Sequence, residues 1–415
     1  MPLASICKLR ISTMRIGVIS ALYPPTSIGG AEVMAAQLVN GLSPQDDVHV
    51  LTLESVQSSI HQVRGVERVP LRNLYWPYDR QKVSRSSVSR LAWHVIDTAN
   101  PWMVKVVERW VRAHQFDVVC TQNLQGFSTS IWPMLSRMRM PVVHVLHDFS
   151  LLCPRTILFR NGKLCGHGPK RCAECRVLTG PRFKHAQSLD AVVGVSHSIL
   201  NLHQEHGLFQ QARCSVIYNA LDAQSMPATP VQWSHSAVLR LGFLGRLDHA
   251  KGVDVLLGAA QLLQQQGIAL RLVLGGRGQE GQIAAWKEQF ADLHIEWCGH
   301  MAPSVLWPEI DVLVFPSASM EALGNVVLEA AAAGRPSIVS RHGGAPELVE
   351  DGVTGASFAP GDVHDLARLI AQCHAQPGLW RQWGDAAFLR AQRFNVSERI
   401  RAFRALFEEV VHAYR

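Results

Sequence analysis

The sequence lacks any uninterrupted apolar run of the ~18 residues that a spanning helix requires, so no transmembrane segment is expected along its 415 residues. Charge is scarce as well. Charged residues make up 18% against 47% hydrophobic, a balance that excludes a disordered chain and supplies apolar surface for large cores. No long apolar stretch opens the chain either: Met1 to Thr13 is short and carries Cys7, Lys8 and Arg10 where a signal peptide would need hydrophobic residues. An export signal is therefore not expected, a cytoplasmic location is, and Met14 is a second candidate start beside Met1.

What is present is enough chain for two domains of ordinary size. Short β-rich apolar runs alternate with helical stretches, the pattern of parallel sheets wrapped in helices. Strands are expected at Arg15–Ser20, Val48–Leu53, Phe116–Thr121, Val142–Leu146, Ala191–Val195 and Cys214–Tyr218. A second series follows at Val238–Leu244, Leu270–Leu274, Ile295–Cys298, Val312–Phe315 and Ser337–Ser340. Between the series, Asp222 to Ser236 is rich in Pro, Ser and Thr without an apolar period, as a linker would be. The expected division is an N-terminal unit over 1–225, a C-terminal unit over 237–395, and a final helical segment, 396–415, packing back toward the N-terminal unit. Formal charge is divided unequally, +10 over residues 1–225 and −3 over the remainder. That asymmetry points to an anionic surface or substrate near the first domain, or to a merely solvated basic face.

Five segments carry chemistry. After the first strand, Gly29-Gly30-Ala31-Glu32 opens a helix, where amides and the helix dipole favour an anion; a tight turn without a ligand has the same residues. In the second half a strand runs into Gly245-Arg246-Leu247-Asp248-His249-Ala250-Lys251-Gly252, placing two cations at a strand's carboxyl end, where open α/β sheets bind ligands; solvated loop cations are the other reading. Ser319 to Ala330 holds Glu321 and Glu329 with seven residues between them, and Gly324-Asn325 starts the intervening helix with amides directed at a phosphate. A Glu between Leu328 and a run of alanines is poorly explained as surface. Downstream, Gly343-Gly344-Ala345-Pro346-Glu347 is another Gly-rich turn, and His147-Asp148 ends a strand of the first half on the edge expected to face the cleft, although a lone strand-end His is more often structural.

With V-S-H-S at Val195–Ser198 and V-I-Y-N-A at Val216–Ala220, these segments resemble, in order and spacing, glycosyltransferase family 4 from Met14 onward. The resemblance implies an α/β GT-B fold, two Rossmann-like doubly wound domains facing each other across a cleft. It also implies a retaining, hexosyltransferase-type enzyme taking a nucleotide-sugar donor, with a saccharide or lipid-linked acceptor, in polysaccharide or glycoconjugate synthesis. Carried over residue by residue, Arg246 and Lys251 would bind the donor diphosphate, Glu329 the ribose and Glu321 the transferred sugar. The amides of Gly324 and Asn325 would lie close by, Gly29 and Gly30 would approach from the opposite domain, and His147 would sit near the anomeric centre. The family typically needs no catalytic metal, in keeping with the lack of a D-x-D pair at a strand end, and no nucleophile is assigned.

Two features stand outside that pattern. Cys153, Cys165, Cys172 and Cys175 have the count and the closing C-x2-C of a structural zinc site, with disulfides, free thiols and an iron–sulfur cluster as the other readings. From Asp79 to His114, basic residues including Arg80, Lys82, Arg85, Arg90, Lys105, Arg109 and Arg112 are interleaved with Trp93, Trp102 and Trp110. Such helices can lie on an anionic bilayer, giving peripheral contact at the inner face of the membrane; solvated Arg with Trp in the core is the alternative. No nucleic-acid partner is expected. The rival functions are a non-catalytic nucleotide- or nucleic-acid-binding protein and, on the same scaffold, a nucleotide-sugar epimerase or phosphorylase.

Overall fold

A computed structural model describes residues 13–26, 29–54, 65–77, 85–165, 172–222, 227–233 and 238–414. Its strands are β1 (Arg15–Ser20), β2 (Asp47–Leu53), β3 (Val66–Val69), β4 (Val118–Thr121), β5 (Val142–Leu146), β6 (Phe159–Arg160), β7 (Lys163–Leu164), β8 (Ala191–Gly194) and β9 (Arg213–Val216) in the first half. The second half adds β10 (Leu239–Leu244), β11 (Leu270–Gly275), β12 (Ile295–Gly299), β13 (Val312–Phe315), β14 (Ser337–Ser340) and β15 (Gly355–Phe358). Central strands such as β4, β5, β8, β13 and β14 are buried at every residue, because helices cover both faces of each sheet and leave no position for a polar side to alternate.

The first sheet runs β3-β2-β1-β4-β5-β8-β9 and the second β12-β11-β10-β13-β14-β15, all parallel. Strand order reverses between β1 and β4 in one sheet and between β10 and β13 in the other. Loops leaving the carboxyl ends of those pairs diverge to opposite faces and open a crevice, the place where such sheets take ligands. The architecture is two Rossmann-like units, as the alternation of strands and helices predicts. Two edge strands, β3 and β15, and the small β6–β7 hairpin escape sequence reading. Their residues, Val-Glu-Arg-Val, Gly-Ala-Ser-Phe, Phe-Arg and Lys-Leu, lack the continuous apolar run that marks equally short strands such as β4 and β13.

Several contacts tie the units together. Residues 227–233, within the expected linker, are fastened to the second unit: buried Arg335 donates from Nη1 to the Val231 carbonyl and from Nη2 to that of Gln232, both at 2.9 Å, and its guanidinium lies over the Trp233 ring. The rest of that linker, 223–226 and 234–237, lies outside the described residues. Helix Val396–His412 returns to the first unit, where Phe403, Leu406, Phe407, Val410 and Val411 are buried. Its Arg399 donates to the Met34 carbonyl of helix Gly30–Leu42, and Arg404 pairs with Asp46 at 3.1 Å.

Candidate functional site

At the reversal point of the second sheet, the loops after β10 and β13 are stitched into one surface. Amides of Ala318 and Ser319 both donate to the Ala250 carbonyl. Gly252, in the left-handed region at φ +70°, sits so close to strand-end Pro316 that a β-carbon would lie 1.9 Å from its carbonyl oxygen, so only glycine fits. This close approach delivers the neighbouring side chain: Lys251 Nζ reaches Glu321 Oε1 at 2.6 Å, and Ser317 Oγ donates to the same oxygen at 2.7 Å. Both charged side chains are about four-fifths covered. Arg246, by contrast, projects with 58% of its side chain exposed and only Asp248, from its own loop, at 3.4 Å. One cation is thus held inward and the other extended.

The first domain approaches the same point. Gly30, which begins its helix, lies so near Asn325 that a β-carbon there would stand 2.7 Å from Asn325 Nδ2. Asn325 is the first residue of helix Asn325–Ala332, whose N-cap, Gly324, is left-handed at φ +93°. Its Oδ1 accepts from Nδ2 of buried Asn219, in the strand-end segment following β9. Gly29 differs from expectation in one respect: its N–H already donates to Glu32 Oε2 at 2.9 Å, so an anion at this turn competes with a side chain for that amide. Glu329, about one turn into the helix, is largely desolvated and faces the charge of Asp222; burial first, and that repulsion second, push its pKa up to about 7.

The third junction involves residues to which sequence reasoning gave no specific contact. Glu347, in the G-G-A-P-E turn of the second domain, accepts from the backbone amides of His197 (2.8 Å) and Ser198 (2.7 Å), capping helix His197–Glu205 of the first domain. Tyr218 OH donates to the same carboxylate at 2.8 Å, and Ser196 Oγ donates across to the Ala322 carbonyl at 2.5 Å. The motifs V-S-H-S, V-I-Y-N-A and G-G-A-P-E therefore meet in one interdomain clasp. That clasp adjoins the charged pair, since the Gly344 amide donates to the Glu321 carbonyl at 2.8 Å.

His147 follows β5, beside the loop after β4, where its Nε2–H donates to Gln122 Oε1 at 2.6 Å. Gln122 Nε2 in turn donates to Cys120 Sγ, which fixes the amide's orientation. Burial, reinforced by the positive charge of Arg399, pushes the imidazole pKa down to about 3, leaving a neutral ring with Nδ1 as the acceptor. Such a ring can accept from a hydroxyl but cannot act as an acid near neutrality. Of the three tryptophans expected at a surface, two are core: Trp93 and Trp110 are 2% and 5% exposed, their indole N–H groups satisfied by the Tyr75 carbonyl and Glu67. Their helices turn that side inward, and only Trp102, at 61%, faces solvent. Arg80 and Lys82 lie outside the described residues.

The geometry can be set beside known proteins. The family model described as Glycosyltransferase Family 4 matches residues 28–225, and that described as Glycosyl transferases group 1 matches residues 239–376. An uncharacterized 42.6 kDa protein in the cps region of Klebsiella pneumoniae is 28% identical over 341 residues, covering 81% of this chain and 87% of the relative. A D-inositol 3-phosphate glycosyltransferase of Streptomyces bingchenggensis is 24% identical over 309 residues, 68% of this chain and 65% of the relative. Among solved structures, Anabaena HepE in complex with UDP and glucose matches with a TM-score of 0.67 at 20% identity, over 95% of this chain and all of that one. At that identity the likeness is one of fold.

Proposed function

The chain belongs to the group 1, family 4 glycosyltransferases and is a transferase of the GT-B type; from that premise we propose that it moves a sugar, with retention at the anomeric carbon, from a nucleoside-diphosphate donor to a saccharide or lipid-linked acceptor. The observation that carries the reading is the convergence at the facing sheet edges: Lys251 against Glu321, and Gly30 against Asn325. The complex of HepE with UDP and glucose supports a nucleotide sugar as the donor here.

Breaking a sugar–phosphate bond builds negative charge on the diphosphate and positive charge on the sugar, so groups fixed in advance stabilise the transition state more than the substrate. Lys251 and the extended Arg246 are assigned to the diphosphate. As phosphate draws Lys251 away, Glu321 exchanges its ammonium partner for hydroxyls of the transferred sugar, with Ser317 still holding Oε1. The amides at Gly324 and Asn325 lie beside the phosphates, with Gly30 completing the enclosure from the other domain. Glu329 accepts from the ribose hydroxyls. Neutral His147, presenting Nδ1, accepts from a sugar hydroxyl near the reacting carbon. Departing phosphate oxygen takes the acceptor's proton on the same face, so no protein nucleophile is required.

The acceptor side is proposed to rest on an anionic bilayer. Val88, Leu91 and Val95, three and four positions apart on one face of helix Ser87–Thr98, are more than half exposed, as are Trp102 and, on the adjacent helix Ala173–Ala186, Val177. Exposed Arg85, Arg90 and Arg176 flank them. Apolar side chains with basic neighbours suit the headgroup boundary. Low-salt co-sedimentation with anionic vesicles should retain the protein and Leu91→Glu should release it; equal binding to neutral vesicles would contradict the electrostatic part.

The transfer itself is tested by incubating the chain with radiolabelled UDP-, GDP- and ADP-sugars and candidate saccharide and lipid acceptors. Label moving to a second molecule, with the donor's anomeric configuration preserved by NMR, is the expected result. Inverted product would end the retaining assignment. An epimerised donor, with no label leaving it, would end the transferase assignment.

A further inference from the structure

We infer that Cys153, Cys165, Cys172 and Cys175 are the ligands of a structural zinc ion that fastens the segment after His147 to the helix behind it. The four thiols come from three separate pieces of backbone. Cys153 lies in the turn that follows β5, its amide donating to the Phe149 carbonyl. Cys165 closes the β6–β7 hairpin, its amide donating to the Leu158 carbonyl at 2.7 Å. Cys172 is the N-cap of helix Ala173–Ala186, and Cys175 lies in that helix's first turn.

The side chains converge. Cys175 lies near both Cys172 and Cys153, and Cys165 lies near Cys153 and Cys172, while the Arg160–Glu174 pair at 3.2 Å holds the hairpin that carries Cys165 against the helix that carries the C-x2-C pair. Cys153 and Cys175 are buried, 1% and 7% exposed. Within the C-x2-C pair, the Cys175 amide donates to Cys172 Sγ at 3.4 Å, so a thiolate at the helix start would have a hydrogen bond and the positive end of the dipole. Arg155 and Arg160 lie within electrostatic reach of Cys165, and Arg160 also pairs with Glu174 of the helix at 3.2 Å, placing cations where four thiolates and a divalent ion leave net negative charge.

A disulfide accounts for less of this arrangement. A single disulfide at Cys175 would leave two of the four thiols unused, whereas one tetrahedral ion uses all four. No three of these four sulfurs lie within 4.8 Å of one another, so binding has to draw the more exposed Cys165 and Cys172 onto the buried pair. The ion replaces the thiol protons, which pass to solvent. His49, Glu67 and His114 are the described trio with ligand atoms already that close, but they are satisfied without an ion: Glu67 Oε1 takes both His114 Nε2 and Trp110 Nε1, and His49 bonds Asp47.

The test is elemental analysis of the full chain produced in zinc-supplemented medium, with non-reducing peptide mapping of the same sample. One zinc per chain is expected, without iron or acid-labile sulfide, and cobalt substitution should give the intense visible bands of tetrahedral thiolate coordination. Cys172→Ser removes a ligand but leaves a good N-cap, so it should fold and lose the zinc; His49→Ala should keep it. Metal-free wild type of native circular dichroism, iron with sulfide, a mapped disulfide among the four, or zinc kept in Cys172→Ser but lost in His49→Ala would each overturn the assignment.

Discussion

Glu321 and Glu329 belong to one motif, Glu321 in the loop before helix Asn325–Ala332 and Glu329 about one turn into it, yet they meet opposite surroundings. Glu321 has an ammonium at 2.6 Å and a hydroxyl at 2.7 Å on the same oxygen. Glu329 meets apolar neighbours and the carboxylate of Asp222, and its pKa rises to about 7. The first carboxylate is compensated before any donor arrives and has to exchange partners. The second carries an unfavourable charge that hydroxyl donors would relieve. One is built for the reacting sugar, where charge changes during reaction, the other for a part of the donor that only binds.

The largest effect expected from this contrast is at the charged pair. Lys251→Ala removes a diphosphate cation and strands the largely covered Glu321, and kcat should fall about 10²–10³-fold, as for a lost transition-state donor. Steady-state kinetics with the cognate donor reads it directly. A loss confined to KM would place Lys251 in uniform binding and erase the distinction between the carboxylates.

Glu329→Gln should behave otherwise, raising the donor KM by about tenfold or more, the usual size of a hydrogen bond to a charged group, with kcat little changed. The variant also sharpens the comparison through pH. Because burial raises the carboxyl pKa from 4.5 to about 7, the folded chain holds that proton more tightly than the unfolded chain does. Ionisation therefore favours unfolding: the penalty is absent below about pH 4.5, grows through the window up to pH 7 and is complete above it. At pH 8 the Gln variant should melt higher than the wild type, and the difference should vanish near pH 4.5. Donor affinity of the wild type should tighten as pH rises through about 7, and this dependence should be missing in the variant. A pH-independent difference in Tm would show that Glu329 is not desolvated as described.

Much of this arrangement was legible in the sequence because strand-end loops announce themselves: Gly245 to Gly252 and Ser319 to Asn325 combine an apolar strand with charge and glycine at its carboxyl end. The pairing of Lys251 with Glu321 was not, since it depends on Gly252 packing against Pro316, a contact without any local signature. The clasp at Glu347 was less legible still. Its partners lie about 150 residues away, and two of them are backbone amides that no residue type reports. Trp93 and Trp110 misled in the other direction, because interleaved Arg gave the impression of a surface while their helices turn both indoles into the core. The shift at Glu329 comes first from burial and second from Asp222, at the end of the other domain, neither of which local sequence reports.

The smallest expected effect asks whether domain contact reaches one carboxylate and spares the other. Tyr218→Phe deletes a single hydroxyl from the Glu347 clasp and leaves the ring packed against Phe394. The clasp is continuous with the loop that carries Glu321, through the Gly344 amide, whereas Glu329 lies in the following helix, about one turn in. Losing one such hydrogen bond costs about 1 kcal/mol net, a factor of about five. That factor should fall on kcat, because the interdomain contact holds the sugar-facing carboxylate in place, while the Kd of the free nucleoside diphosphate, measured calorimetrically, should stay unchanged. If Tyr218→Phe instead weakens nucleotide binding and leaves turnover intact, the clasp supports the ribose end of the helix, and the division of labour between Glu321 and Glu329 has to be redrawn.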